Sequence, residues 1–290
     1  NKYILKADFD TTFYPFPFTE AHIDNGSLTG SAGIVFRPTD KWVISSNVAT
    51  AFRSPNVDDV GKVFDSEPGS VVIPNPNLEA EYAYNVDLNV AKMFGKSVKV
   101  DVSTYYTLLD NALVRRDFTL NGASEIVYDG ELSQVQAIQN AAKANVYGIQ
   151  AGVEVKLPTG FRFSTDLNFQ KGEEELDNGD KSPSRHAAPF FGISRVGYAN
   201  SKVDLELNFQ FSDKVAFKDL AEEEKGKKEI YARYRNGNPY SPSWYTLNLK
   251  SMYKLTENFT LTAGIENITD QRYRPYSSGI VAPGKNIILA

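Results

Sequence analysis

Short and long connections alternate strictly along this chain, between stretches whose residues alternate in polarity, and few folds accommodate that asymmetry. The short turns fall at Pro38-Thr39-Asp40, Gly95-Lys96, Pro158-Thr159-Gly160, Ala199-Asn200-Ser201 and Thr256-Glu257-Asn258. Long, polar, Gly/Pro/Asn-rich stretches lie between them, at about 10–27, 53–79, 110–131, 172–188, 212–241 and 268–284. An antiparallel meander clipped on one side and looped out on the other is the organisation of an outer-membrane β-barrel, with tight periplasmic turns and long external loops.

The strands carry the second half of the argument. Val98, Val100, Val102, Thr104 and Tyr106 alternate with Lys99, Asp101, Ser103, Tyr105 and Thr107; Val203, Leu205, Leu207, Phe209 and Phe211 alternate with Asp204, Glu206, Asn208 and Gln210. The period is two, so each strand has one apolar and one polar face. Runs of about nine to thirteen residues exceed the usual globular strand and match what a tilted strand needs to cross a hydrocarbon core. A mean hydropathy of −0.36 does not oppose this, because every second residue faces a polar lumen. Phe36, Trp42, Phe52, Tyr82, Phe94, Phe161, Tyr198, Trp244, Tyr245 and Phe259 sit near strand ends, where interfacial girdles form. Cysteine is absent, which removes thiolate metal sites, and a net charge of −5 with no basic cluster argues against nucleic acid as a partner.

Twelve strands are expected, at roughly 2–9, 28–36, 41–52, 80–94, 97–109, 134–157, 161–171, 189–198, 202–211, 244–253, 259–267 and 285–290. A barrel must close to leave no edge in lipid. The last run is too short to span, so the reading is all-β, an antiparallel up-and-down transmembrane barrel of which residues 1–290 are one part.

Several short boxes then resemble one family. Phe52-Arg53-Ser54-Pro55-Asn56 followed by Asn75-Pro76-Asn77-Leu78 resembles the paired FRAP and NPNL boxes of TonB-dependent outer-membrane receptors. Ala144-Asn145-Val146-Tyr147-Gly148-Ile149 resembles a family strand start, and Arg185-His186-Ala187-Ala188-Pro189 a proline-containing strand entry. Glu266-Asn267-Ile268-Thr269-Asp270, Tyr273-Arg274 and Pro283-Gly284-Lys285-Asn286 resemble the terminal signature. The resemblance implies a C-terminal part of a barrel of about twenty-two strands, in the outer membrane of a Gram-negative bacterium. It also implies an N-terminal plug domain, absent here, and uptake of a ferric siderophore, haem or other scarce cargo driven by the TonB–ExbB–ExbD complex. Lipopolysaccharide and outer-membrane lipid would surround the barrel.

Catalysis finds little support. His22 and His186 are both expected in loops, and no phosphate cradle, HExxH or EF-hand spacing occurs, so no catalytic residue, cofactor or metal is assigned. Arg53 and the loop after it are candidates for an anionic ligand, because guanidinium forks match carboxylates; the competing reading is that both boxes only shape the loop. Haem-uptake receptors carry a histidine between these boxes, whereas residues 56–74 contain no His, Met, Cys or Tyr, which favours a siderophore or other ferric chelate. Arg115, Arg116, Tyr231, Arg233, Tyr234, Arg235 and Tyr240 form the remaining ligand-binding candidates, as cations and rings suited to planar anionic chelates. The acidic runs Glu173-Glu174-Glu175 with Asp177 and Asp180, and Glu222-Glu223-Glu224, read as solvated loop before they read as calcium ligands. The alternatives are a passive twelve-stranded pore or barrel enzyme, a soluble β-rich binding domain, and import of a glycan or other cargo.

Overall fold

A computed structural model describes residues 2–12, 14–67, 69–140, 143–175, 179–185, 187–227 and 229–290. Eleven strands pair in chain order, each antiparallel to the next, into one ladder. They are β1 Ser31–Phe36, β2 Trp42–Arg53, β3 Glu81–Phe94, β4 Val98–Asp110, β5 Lys143–Lys156, β6 Phe161–Glu175, β7 Phe191–Ala199, β8 Val203–Ser212, β9 Trp244–Lys254, β10 Thr260–Glu266 and β11 Asn286–Leu289. The three-residue strand Lys181–Pro183 pairs with the loop end of β6 and makes the sheet twelve-stranded. All five short turns lie along one edge of this ladder and the long connections along the other, as the loop lengths predict.

The register keeps one face apolar across the whole sheet. Val48, Val86, Tyr106 and Tyr147 are successive cross-strand partners, as are Val100 with Val153 and Leu207 with Leu249. The opposite face carries Asp101, Glu154, Asp166, Glu206 and Lys250, with Arg162 paired to Asp204 at 2.6 Å and Arg195 to Asp166 at 2.7 Å. Asp87 there accepts hydrogen bonds from Asn47, Asn85 and Asn89, so backbone pleat and side-chain network agree on which face is polar. Gly148 lies on this face between Tyr105 and Gln170, its ladder partners. A Cβ there would meet Tyr105 Oη at 2.6 Å, whereas glycine lets Tyr105 cross and donate to Gln170 Oε1 at 2.9 Å. The aromatic girdle is mostly on the apolar face, but Trp244 turns to the polar side, where it stacks on Tyr273 at 4.3 Å.

The dry interior is not in the wall. Every fully buried aliphatic side chain among the described residues lies outside the ladder. Two differences from the sequence expectation explain this. The run at 2–9 does not join the ladder: Lys2–Asp8 pairs with Glu20–Gly26, a stretch read as loop, and His22 lies on that second strand. The long run at 134–157 divides into Glu131–Asn140, which joins a loop sheet, and β5; residues 141 and 142 between them lie outside the described residues. In the loop sheet Ser70–Ile73 pairs in parallel with 134–137, flanked by Phe64–Glu67, Leu113–Asp117 and Glu125–Tyr128. Val71, Ile73, Val135 and Ala137 close one core and Leu5, Ile23, Val60 and Leu78 another, so two long connections and the first hairpin condense into a cap. Polarity averaged along these segments hides their short apolar alternations.

Candidate functional site

The paired boxes come first, because their residues are now placed. β2 ends at Arg53 and Pro55 is fully buried, so the chain leaves the sheet where a proline denies it a ladder donor. The short helix α1 (Val57–Gly61) follows, closed by a capping box in which Asp59 N donates to Asn56 Oδ1 and Asn56 N to Asp59 Oδ2, each at 3.0 Å. Arg53 Nη2 donates to both oxygens of the same Asp59 carboxylate, at 3.0 and 2.8 Å. Asn75 is buried, donates to the Ile138 carbonyl at 2.8 Å and accepts from Asn77 N at 3.1 Å. Both boxes therefore build the cap, and Arg53 is spent on α1.

Arg115 and Arg116 lie on the cap strand Leu113–Asp117. The Arg115 guanidinium sits 5.8 Å from the Phe64 ring centroid, and Arg116 Nη2 donates to the Glu175 carbonyl at the loop end of β6.

The remaining candidates gather in the connection between β8 and β9, beside that between β10 and β11. Glu224 is fully buried there. Its carboxylate receives Arg185 Nε at 2.8 Å, Lys227 Nζ at 2.7 Å and the Tyr231 hydroxyl, so it ties the β6–β7 and β8–β9 connections together. Burial acts to raise the Glu224 carboxyl, but the hydrogen bonds from Lys227 and Tyr231 and the charges of Lys227 and Arg185 outweigh it and hold it below the ordinary carboxylate value. Burial, then the hydrogen bond to Glu224, pushes the Tyr231 phenol far up; burial and the Glu224 charge push Tyr276, 6.5 Å away ring to ring, up to about 12. Both phenols are neutral at any physiological pH, and Tyr231 donates to Glu224.

Above this hub a short hairpin pairs Ala232–Arg233 with Pro239–Tyr240. Tyr234 and Tyr240 stack at 4.2 Å, and Arg233 and Arg235 flank them, exposed and without an ion-pair partner among the described residues. Sequence reasoning grouped Tyr231 with these residues, yet the structure puts it in the hub below them. Glu224 was missed: its partners span about forty residues, and the only local signal is a lysine three positions on. His186, Asp177 and Asn178 lie outside the described residues, and no cluster of three or more metal-ligating side chains occurs among the described ones.

Beneath the hub, a cavity of about 620 Å³ opens on the polar face, lined by Asp101, Gln150, Asp166, Asn168, Trp244 and Tyr276. Tyr276 also walls a second cavity of about 370 Å³ under the β6–β7 connection. The larger volume is that of a small-molecule site, which runs about 300–1,000 Å³.

An asymmetric meander with one continuous apolar face and a polar, cavity-bearing face defines a membrane β-barrel wall. The TonB dependent receptor-like, beta-barrel family matches residues 6–268, and the chain belongs to that family. It is accordingly a component of the Gram-negative outer membrane. The hemoglobin and hemoglobin-haptoglobin-binding protein of Haemophilus ducreyi is 25% identical over 86% of this chain and 27% of its own length. Transferrin-binding protein A of Neisseria meningitidis serogroup B is 23% identical over 94% of this chain and 32% of its own. Among solved structures, the ferric enterobactin receptor of Pseudomonas aeruginosa superposes with a TM-score of 0.67 at 16% identity, over 92% of this chain and 41% of that one. Copper transporter OprC superposes at 0.69 with 14% identity, over 93% and 40%. The chain thus spans 27 to 32% of these curated relatives' length and about two fifths of the solved ones.

Proposed function

We propose that residues 1–290 are the C-terminal part of a receptor barrel that imports a ferric chelate, a siderophore or haem, with a plug domain supplied by another segment and energy by the TonB–ExbB–ExbD complex. The observation that carries this reading is the exposed lip of Arg233, Tyr234, Arg235 and Tyr240, in a connection whose Tyr231 packs on Tyr276, a residue lining a cavity of chelate size. Guanidinium and phenol groups engage anionic, planar, oxygen-rich or aromatic surfaces. Arg115 is a second contact from the cap. Arg53, Arg116 and Tyr231 act one step back, holding the loops that carry the contacts. The relatives and neighbours named for binding haemoglobin, transferrin or ferric enterobactin support an iron-bearing cargo. We assign no catalytic residue, and the protein works as a transporter and not as an enzyme.

The test is uptake of labelled chelate at limiting concentration by cells carrying the full receptor, with surface abundance measured in parallel. Arg233→Ala plus Arg235→Ala loses affinity, by about tenfold or more for two charge-assisted contacts. Glu222→Gln leaves uptake unchanged, because among the described residues that carboxylate pairs only with Lys225 on the loop surface. A silent arginine pair would remove the lip from the site.

A further inference from the structure

The edge of the sheet opposite the loops carries a feature that cargo uptake does not use. Lys92 lies on the apolar face of β3, directly across the ladder from Trp42. Its Nζ sits 4.5 Å from the centroid of the Trp42 ring and 4.5 Å from that of Phe94. An ammonium in a row that faces hydrocarbon is costly at mid-membrane, so this row must lie at the interface, with the aliphatic stem along the wall and the charge at headgroup depth. Arg37 and Lys41 close the adjoining β1–β2 turn and Lys96 the β3–β4 turn, all three exposed. The Met93 N–H donates to the Lys41 carbonyl at 2.8 Å, which holds the two turns side by side.

None of these four cations has an ion-pair partner among the described residues, and Asp40 is the one carboxylate in the two turns. The contrast lies along the same rim. Lys99 pairs with Asp101 at 2.9 Å, Arg162 with Asp204 at 2.6 Å and Lys156 with Glu154, all on the lumen side. These three lumen-facing cations are neutralised within the wall, whereas the Lys92 ammonium on the membrane-facing side is left between two rings, with the exposed turn cations Arg37, Lys41 and Lys96 at the same end of the strands.

We propose that Arg37, Lys41, Lys92 and Lys96, with Trp42 and Phe94, form a site for the headgroup phosphate of an anionic phospholipid in the leaflet at the short-turn side. The apolar face continuing from Phe94 through Lys92 to Val90 receives the acyl chains, and the ring-held ammonium and the turn cations receive the phosphate. The inference rests on the membrane reading of the apolar face and is independent of the cargo.

The full receptor, reconstituted in nanodiscs of equal phosphatidylglycerol and phosphatidylethanolamine, tests it; the lipid held by the protein is analysed by mass spectrometry. Wild type holds phosphatidylglycerol in excess of the bulk ratio. Lys92→Gln lowers that preference by about fivefold, the factor one cation contributes near an anionic surface. Arg37→Gln, Lys41→Gln, Lys92→Gln and Lys96→Gln together bring it to the bulk ratio. The loop-end variant Lys214→Gln plus Lys218→Gln, which removes two cations on the opposite side, keeps the preference. Inorganic phosphate added in excess leaves the wild-type lipid ratio in place, since the apolar contacts hold the lipid. Enrichment that survives in the fourfold variant, or that phosphate alone abolishes, overturns the site. Folding is followed by gel mobility before and after heating: a folded variant without lipid preference separates loss of the site from failure of the barrel reading. If the fourfold variant does not fold, Lys92→Gln decides.

Discussion

At the residue scale, Glu224 has the most to lose. It is fully buried, and three partners from two connections converge on it. Removing one member of a buried charge cluster costs about 3–5 kcal/mol because the rest stay uncompensated. Glu224→Gln should therefore loosen the β8–β9 connection, seen as faster amide exchange over 213–243 with the wall unchanged. Because the folded carboxyl sits below its ordinary value of 4.5, its stabilisation is fully present above pH 4.5 and is lost as pH falls through the folded value. Loop protection factors in the wild type, corrected for the intrinsic exchange rate, should thus fall with acid below that point, and Glu224→Gln should remove the acid step. An acid step that persists in the variant would assign it to another group. Asn267 plays a comparable role for the last connection: it is buried at φ 47°, and its side chain donates to the Gln271 and Pro283 carbonyls and accepts from Gln271 N. The terminal box that marks the family in the sequence is thus a staple. Its chemistry is local and legible, whereas the Glu224 hub joins positions about forty residues apart and has only Lys227 as a local signal in the sequence.

At the element scale, period-two alternation located ten of the eleven ladder strands to within a few residues, because each has a single apolar face that only one register satisfies. It failed where a strand ran on past the membrane. The expected strand at 134–157 loses its alternation over 138–146, around residues 141 and 142, where the chain passes from the cap to the wall. The cap itself escaped because Ser70–Ile73 and Gln134–Ala137 are only four residues long and pair in parallel across some sixty residues. The boxes at 52–56 and 75–78 were visible as boxes, and their role is now clear: Arg53→Ala should free α1 and expose 54–80 to protease while leaving the wall folded, whereas Lys62→Ala, whose pair with Asp58 is exposed, should not. Faces can be tested separately. Leu207→Arg on the apolar face should cost about 2–4 kcal/mol in lipid-vesicle folding titrations, and Gln150→Arg at the cavity should cost little. Asn208 is unsuitable as the polar-face control, since it is buried and accepts from Asn248 at 2.7 Å. Equal penalties at 207 and 150 would mean the faces are assigned in reverse.

At the scale of the whole molecule, the sheet separates a short-turn edge from a loop edge that carries the cap, the hub and the lip. Cysteine introduced at the exposed Asn121 or Arg235 should react with an impermeant reagent on intact cells, and at Thr159, Asn200 or Glu257 should not. The most direct test of the account concerns transport. In an iron-starved strain lacking its own receptors, the full receptor containing this chain should accumulate radioactive iron from the chelate, saturating at low concentration and stopping when TonB is deleted or the proton gradient is collapsed. Accumulation that persists without TonB and rises in proportion to external chelate would show a passive pore and contradict the account.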